Sequence, residues 1–214
     1  MLFKIILLLH IIAGSIGLIM GTFVLIRKKG NKIHKLLGKI FSIAMVSTGF
    51  SAFALSYINT NVFLFIVGVF TIYLTISGNR MLYLKEILKG QKPQIIDYSI
   101  TFFMLLASVA FLYLGILNIV KANNFGFVLI LFGITSLVLC YKDYVIYVNR
   151  NIDKLFWLKN HIGRMTGAYI AALTAFIVVN NTFFPPIFAW SLPGIVGSIF
   201  ISRTIKKLSL KKIS

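Results

Sequence analysis

The chain has 214 residues, of which 59% are hydrophobic and only 12% are charged, and its mean hydropathy is +0.95. A soluble domain carries about 25% charged residues, so this composition excludes a water-soluble globular enzyme. It also excludes an intrinsically disordered chain, which needs low hydrophobicity and high charge density. The formal net charge of +18 would suggest nucleic-acid binding in a soluble protein. Here the basic residues lie between long apolar runs, so no nucleic-acid partner is expected.

Seven apolar runs are long enough to be membrane helices, which need about 20 mostly apolar residues each. The runs are continuous rather than alternating, which argues against a transmembrane barrel. The first run extends too far to be a typical signal peptide, so it is predicted as a span. The sequence therefore predicts an all-α bundle of seven transmembrane helices that forms a single domain over residues 1–214. The predicted spans are 2–26, 36–57, 61–78, 98–120, 125–141, 164–183 and 186–202, and the third and the last are near the lower limit of length.

The basic residues predict how the spans are oriented. The segments 27–39, 80–92 and 142–164 and the tail 203–214 hold twenty of the 22 Lys and Arg residues, and the opposite side has only Lys4 and Lys121. Because cytoplasmic segments carry the excess of Lys and Arg, the N-terminus is predicted outside and the C-terminus in the cytoplasm. The basic cytoplasmic tail is expected to lie against anionic lipid.

Small residues at helical spacing predict the faces on which the spans pack, because lipid supplies no hydrophobic drive for helix association. Plain helix packing is the expected role of these faces. The alternative is that a flat cofactor lies against the bare backbone. The faces comprise Gly14, Gly17 and Gly21 in the first span, Gly38, Ser42 and Gly49 in the second, and Gly163, Gly167, Ala171 and Ala175 in the sixth.

All three histidines lie in or beside a span, where an ionisable side chain is a functional candidate by default. His10 lies within the first span, and one hydrogen bond to a Ser, Thr or Asn of another helix would satisfy it. His34 begins the second span and His161 begins the sixth, where an imidazole can also simply be hydrated. Gly14 follows His10 by one helical turn, and Gly38 follows His34 in the same way. Transmembrane b-type cytochromes need that spacing, because glycine makes room for the porphyrin.

A haem b site at the inner face is the specific hypothesis that these positions support. His34 and His161 lie at the same predicted depth and would bind the iron axially, with Fe–N bonds of about 2 Å. His10 is roughly 24 Å of helix from the inner end of its span, so it is expected to take no part. Arg80 and Arg164 are predicted at the level of the two histidines.

Arginine binds carboxylates bidentately, so Arg80 and Arg164 are the candidates for the haem propionates. Asp97 and Asp143 share the same level and are expected to orient the imidazole N–H groups, as carboxylates do around other metal sites. The single cysteine, Cys140, excludes an intramolecular disulfide, covalent c-type haem and a cysteine-based metal site.

The segments LHIIAGSIGLIMG, HKLLGKIFSIAM and HIGRMTGAYIAALTAFIVVN resemble a bacterial family of multi-pass membrane proteins that is catalogued as a domain of unknown function. The resemblance covers nearly the whole chain. It implies a location in the cytoplasmic (inner) membrane and implies no activity. The chain is also similar to cytochromes of the b561 type, in which a His in one span precedes a His at the basic start of the next. Three histidines allow at most one bis-histidine site, whereas the b561 type has two.

Three further functions stay open. Seven spans suit a small-solute or ion transporter or channel, built as a 3+3 inverted repeat plus one helix. A metal-dependent membrane hydrolase would use His34, His161 and either Asp97 or Asp143 as zinc ligands. A structural or assembly role would leave no motif. The haem hypothesis itself covers either redox chemistry or haem sensing.

Overall fold

The computed structural model describes residues 1–148, 152–183 and 185–210, so residues 211–214 of the predicted tail lie outside the described residues. Over the described residues the chain forms seven long α-helices and no strand. A short 3₁₀ helix, Leu84–Lys89, follows the third of them. The α-helices are α1 (Leu2–Ile26), α2 (Lys32–Asn59), α3 (Val62–Tyr83), α4 (Ile95–Val120), α5 (Phe125–Tyr147), α6 (Phe156–Asn180) and α7 (Pro186–Leu210).

Local capping residues set several of the helix ends. The Asn31 side chain accepts a hydrogen bond of 2.7 Å from the backbone N–H of His34, which satisfies a donor in the first turn of α2. Gln94 and Asp97 form a reciprocal capping box at the start of α4. Gly90 ends the 3₁₀ helix with φ +95, a conformation that glycine adopts at little cost.

The seven predicted spans are confirmed as helices of 22 to 28 residues, each long and apolar enough to cross a membrane, within the described part of the chain. The third and the seventh, predicted near the lower limit of length, have 22 and 25 residues. Most bounds differ from prediction at the basic ends: α2 begins at Lys32 rather than 36, and α3 continues to Tyr83 rather than 78. Hydropathy locates only the apolar run, whereas backbone hydrogen bonding continues through basic and aromatic residues beyond it.

Many large apolar side chains lie on the surface, and three charged side chains are buried among the described residues. Arg164, Asp97 and Asp143 are at most 2% exposed, whereas the side chains of Phe103 and Leu106 are more than half exposed. Large apolar side chains face outward and charged groups face inward where the surrounding solvent is lipid. The burial pattern therefore supports the membrane location independently of hydropathy.

The chain divides into two compact units. Unit 1 comprises Met1–Gly78 and Lys159–Ser214, and so contains α1, α2, α7 and most of α3 and α6. Unit 2 comprises Asn79–Leu158, and so contains the 3₁₀ helix, α4 and α5. That residues 1–214 act as a single domain stays a prediction.

Unit 1 packs on the small-residue faces that the sequence predicts for α1 and α2. A Cβ atom added to Gly17 of α1 would lie 2.6 Å from the sulfur of Met45 on α2. Where α2 meets α3, a Cβ on Gly49 would lie 3.1 Å from the carbonyl oxygen of Gly68, and the reverse distance is also 3.1 Å. These glycines allow the backbones to approach closely, which is how helices associate in lipid.

Unit 2 packs α4 against α5 in the same way, through glycines that the sequence analysis did not single out. A Cβ on Gly126 would lie 2.6 Å from the carbonyl oxygen of Gly115, and one on Gly133 would lie 2.8 Å from the side chain of Leu112. At the other end of the unit lies an apolar cluster of Met81, Leu84, Ile87, Ile146 and Phe156.

Substitution of Gly167 tests the predicted stripe on α6. A Cβ at this position would lie 3.3 Å from Cδ1 of Leu74 on α3, so the Leu74 side chain must shift before the larger leucine side chain fits. We expect Gly167→Leu to lower the melting temperature in detergent much more than Leu173→Ala, whose wild-type side chain is only half-buried. Equal melting temperatures for the two variants would contradict close packing at Gly167.

Candidate functional site

His34 and His161 both belong to unit 1. His34 lies in the first turn of α2, where the cap at Asn31 fixes the backbone, and His161 lies in the second turn of α6. Their imidazoles are near enough for the charged forms to repel each other. The structure therefore places the two histidines that the sequence pairs in one unit, within electrostatic range of each other.

A backbone carbonyl orients the ring of His161. Its Nδ1 lies 2.9 Å from the carbonyl oxygen of Gly78, an atom that can only accept a hydrogen bond. Nδ1 must therefore carry the proton and donate, which leaves the Nε2 lone pair available to a ligand. Metal-binding histidines are commonly oriented by such a bond to a carbonyl or carboxylate. The sequence predicts this role for Asp97 or Asp143, and for His161 the Gly78 carbonyl performs it instead.

The ring of His34 has an unsatisfied atom. Its Nδ1 is buried and has no hydrogen-bond partner among the described residues. Buried polar atoms are nearly always hydrogen-bonded or bound to a ligand, so this nitrogen marks a candidate contact. Lys29 is close enough to interact electrostatically with His34. Burial lowers the pKa of Lys29, whose ammonium donates to the carbonyls of Val24 and Leu25 at the end of α1.

Bare backbone lies beside both histidines. A Cβ atom added to Gly38, one turn after His34, would meet no atom within 4 Å, and the same holds for Gly163, two residues after His161. Unlike Gly17 or Gly49, these two glycines do not serve a close helix contact. They leave open the space that the sequence analysis assigned to a ring.

Arg164 lies one turn of α6 from His161 and is only 2% exposed. Its guanidinium carbon is 5.7 Å from the centre of the Tyr73 ring on α3, within the range of a cation–π contact. The Cβ atom of Arg164 lies 3.0 Å from the position that a Cβ atom on Gly78 would take. The carbonyl of the same Gly78 accepts the hydrogen bond from His161. Arg164 and His161 are therefore positioned by the same turn of α3.

Arg80, the second predicted propionate ligand, is engaged within unit 2. Its Nε donates to Asp97 Oδ1 at 2.7 Å, and its Nη2 donates to Asp97 Oδ2 and to Gln94 Oε1, both at 2.9 Å. The Asp97 carboxylate is fully buried in this ion pair and also accepts the backbone N–H of Gln94 at 2.8 Å. These contacts favour a structural role, and a role of Arg80 beside the histidines stays a prediction that they do not support.

Asp143, the other predicted orienting carboxylate, belongs to a buried network in unit 2. Thr101 donates to Asp143 Oδ2 at 3.0 Å, and its hydroxyl also lies 3.0 Å from the Tyr147 hydroxyl. The Tyr147 hydroxyl is 3.1 Å from the carbonyl oxygen of Asp97, to which it donates. The sequence analysis missed Thr101 and Tyr147, although their place on the helices of the two aspartates is a signal that could have found them.

Replacement of Asp97 tests the ion pair. Asp97→Asn leaves the largely buried Arg80 without its counter-charge, which for such pairs costs about 3–5 kcal/mol of stability. We expect a large fall in the melting temperature measured in detergent. Lys89→Gln, which removes the exposed Lys89–Glu86 pair of the same unit, is the matched control and is expected to leave the melting temperature unchanged. Similar melting temperatures for both variants would contradict a stabilising role for Asp97.

His10 has the hydrogen-bond partner on another helix that the packing interpretation predicts. Its Nδ1 lies 2.9 Å from the Ser51 hydroxyl and 3.2 Å from the carbonyl oxygen of Thr48, both on α2. The Ser51 hydroxyl itself donates to the Thr48 carbonyl at 2.9 Å. His10 therefore links α1 to α2 inside the membrane.

A hydrolytic metal centre would need a third ligand. The described residues contain no group of three or more His, Cys, Asp and Glu side chains that could hold a metal ion. His34 and His161 belong to unit 1, whereas Asp97 and Asp143 belong to unit 2 and take part in its hydrogen bonds. No observation on the described residues favours the hydrolase hypothesis.

The fold and the burial pattern define an integral membrane protein of multiple apolar helices. The chain belongs to the family described as Predicted membrane protein (DUF2306), whose sequence profile matches residues 7–139. The match includes His10 and His34 but ends before His161. No curated protein and no solved structure matches the chain. The family description gives a membrane location and no activity, so similarity to cytochromes of the b561 type stays a prediction.

Proposed function

We propose that the protein binds one haem b in unit 1, with the imidazoles of His34 and His161 as the two axial ligands. The observation that carries the proposal is the bond from His161 Nδ1 to the Gly78 carbonyl at 2.9 Å, which leaves the Nε2 lone pair of His161 available. The electrostatic interaction between His161 and His34 is consistent with a shared ligand. Neutral imidazole nitrogen is a common ligand of haem iron. The buried Nδ1 of His34 is a second feature that a bound group would explain.

The surrounding residues suit a flat, anionic cofactor. The open space beside Gly38 and Gly163 would accept the ring, since a side chain at either position would project into it. Arg164 is the residue of unit 1 that would bind a propionate, because a guanidinium pairs with carboxylates in a planar, bidentate geometry. The buried Tyr73 ring lies beneath the Arg164 guanidinium and helps to hold it in position.

Haem, when bound, supplies one-electron chemistry. The site lies at the basic ends of α2 and α6, so the bound group would exchange electrons with, or report its occupancy to, a partner on that side. A single site at one face does not relay electrons across the bilayer. We therefore propose a redox or haem-sensing role on the cytoplasmic side of the inner membrane.

An absorption spectrum tests the proposal. Purified protein, titrated with haemin in detergent, is expected to develop a Soret band that saturates at one equivalent. The same titration of detergent alone gives the background. A monodisperse, folded preparation that adds no absorbance beyond this background would overturn the haem proposal.

Reporter fusions test the proposed orientation. A reporter fused after Ser214 should read cytoplasmic, and one inserted between Asn123 and Asn124, in the loop between α4 and α5, should read external. The reason is that the segments on the side of the C-terminus hold most of the Lys and Arg residues, which marks that side as cytoplasmic. An external C-terminus would move the proposed site to the other face of the membrane.

A small-solute or ion transporter is the second candidate, and His10 is the observation that favours it. The imidazole of His10 is bonded to Ser51 inside a membrane helix. A polar group at that depth could bind a solute or transfer a proton. Solute flux into proteoliposomes that is lost in His10→Ala would support transport. Flux equal to that of empty liposomes would contradict it.

A further inference from the structure

Charge is divided unevenly between the two compact units. Unit 1 contains fourteen of the 22 Lys and Arg residues and none of the four Asp and Glu residues, all of which lie in unit 2. In unit 2, Lys89 lies 2.7 Å from Glu86, and this hydrogen bond lowers the pKa of the Glu86 carboxyl group. The positive-inside rule explains basic residues on one side, but Asp and Glu contribute little to it. Unit 1 is therefore a basic unit without carboxylate side chains.

Three of the lysines in unit 1 lie on one face of α2. Lys32, Lys35 and Lys39 are spaced by three and four residues, which places them along one side of the helix, and all three are exposed. We call them the lysine face. The same side of α2 carries Leu36, which is 60% exposed, and Ile43, which is 59% exposed.

An exposed apolar stripe on a membrane helix contacts lipid, so the lysine face lies where α2 meets the bilayer. A lysine in that position lays its apolar stem along the acyl chains and extends its ammonium group to the level of the headgroups. From Lys32 to Lys39 the helix rises about 10 Å, so the ammonium group of Lys39 approaches the level of Lys32 by extending back toward the start of α2. With no carboxylate side chain in unit 1, no acidic residue of that unit competes for them.

We propose that the lysine face is a binding surface for the phosphate headgroup of an anionic phospholipid. Free phosphate has the same charge, but it would use none of the apolar surface that Leu36 and Ile43 expose beside the lysines. A lipid engages both, with its headgroup on the ammonium groups and its acyl chain on the apolar stripe. This proposal does not depend on haem binding.

Thermal unfolding in nanodiscs tests the proposal. The wild-type protein is expected to melt at a higher temperature in discs that contain phosphatidylglycerol than in discs of phosphatidylcholine alone. Replacement of Lys32, Lys35 and Lys39 together by glutamine is expected to remove most of that rise. The matched control replaces three exposed lysines of unit 2, Lys85, Lys92 and Lys154, and should keep the rise, because it makes the same change in net charge.

Three outcomes would overturn the proposal. The first is an equal loss of the rise in both triple variants, which would show a general effect of net charge. The second is a full rise in the lysine-face variant. The third is an equal rise for the wild-type protein in phosphatidylcholine discs after addition of inorganic phosphate, which would show that free anion is sufficient. A C-terminal topology reporter checks that each variant keeps the wild-type orientation.

Discussion

His34→Ala and His161→Ala should each abolish tight haem binding, with a loss of at least tenfold in affinity relative to the wild-type protein. Each substitution removes one of the two proposed axial ligands, and the small side chain of alanine supplies no other. His10→Ala is the matched control, because His10 is part-buried in the same unit but bonds to Ser51 and Thr48 instead. The measurement is a haemin titration followed at the Soret band.

The size-exclusion profile and melting temperature of each histidine variant show whether it is folded. Loss of haem from a folded His34→Ala or His161→Ala protein, together with retention in His10→Ala, is the expected pattern. Retention of wild-type affinity in either ligand variant would contradict the assignment. Loss in all three variants would contradict the exclusion of His10 from the site.

Gly126→Leu is expected to prevent unit 2 from folding. The first added carbon would lie 2.6 Å from the Gly115 carbonyl oxygen and 2.9 Å from the backbone nitrogen of Ile119, and backbone atoms cannot move aside as a flexible side chain can. α4 and α5 must then separate, which removes the contact on which the unit depends. We expect the yield of monodisperse protein to fall to near zero.

Gly194→Leu is the matched control for this substitution. A Cβ at Gly194 of α7 meets no atom within 4 Å, so the leucine side chain has room, and leucine favours a helix more than glycine does. The yield and melting temperature of Gly194→Leu should equal those of the wild-type protein. Equal behaviour of the two variants would show that α4 and α5 do not depend on close backbone contact.

The seven spans could be predicted from the sequence because each apolar run is longer than a buried helix of a soluble protein requires. The ends of the helices could not. α5 continues to Tyr147 and α6 begins at Phe156, beyond the predicted 141 and 164, because a helix persists wherever its backbone hydrogen bonds can form. Hydropathy carries no information on those bonds.

The candidate site could be predicted in part. The equal depth of His34 and His161, which the alternation of the spans predicts, suggests their pairing, and the structure places both residues in unit 1. The partner of His161 could not be predicted, because a backbone carbonyl such as that of Gly78 leaves no signal in the residue type. The different roles of the two arginines could not be predicted, because Arg80 and Arg164 have similar sequence positions beside a span. Only the structure shows that Arg80 forms an ion pair with Asp97.

The role of each glycine in packing could also be predicted only in part from the sequence. Gly115 and Gly126 lie near adjoining ends of α4 and α5, and their spacing across the short loop is compatible with contact. A glycine on a membrane helix serves either a close contact or an open space. Gly126 and Gly163 differ in this respect only through what lies opposite each of them.

The ratio of haem to protein and the spin state of the iron show most directly whether two histidines bind one haem. Protein that has been saturated with haemin and freed of excess is assayed for haem as the pyridine complex, and its spin state is read by electron paramagnetic resonance. We expect one haem b per chain and a low-spin ferric centre, because His34 and His161 would both bind the iron. A ratio near zero in folded protein, or a high-spin centre with an open axial position, would contradict it.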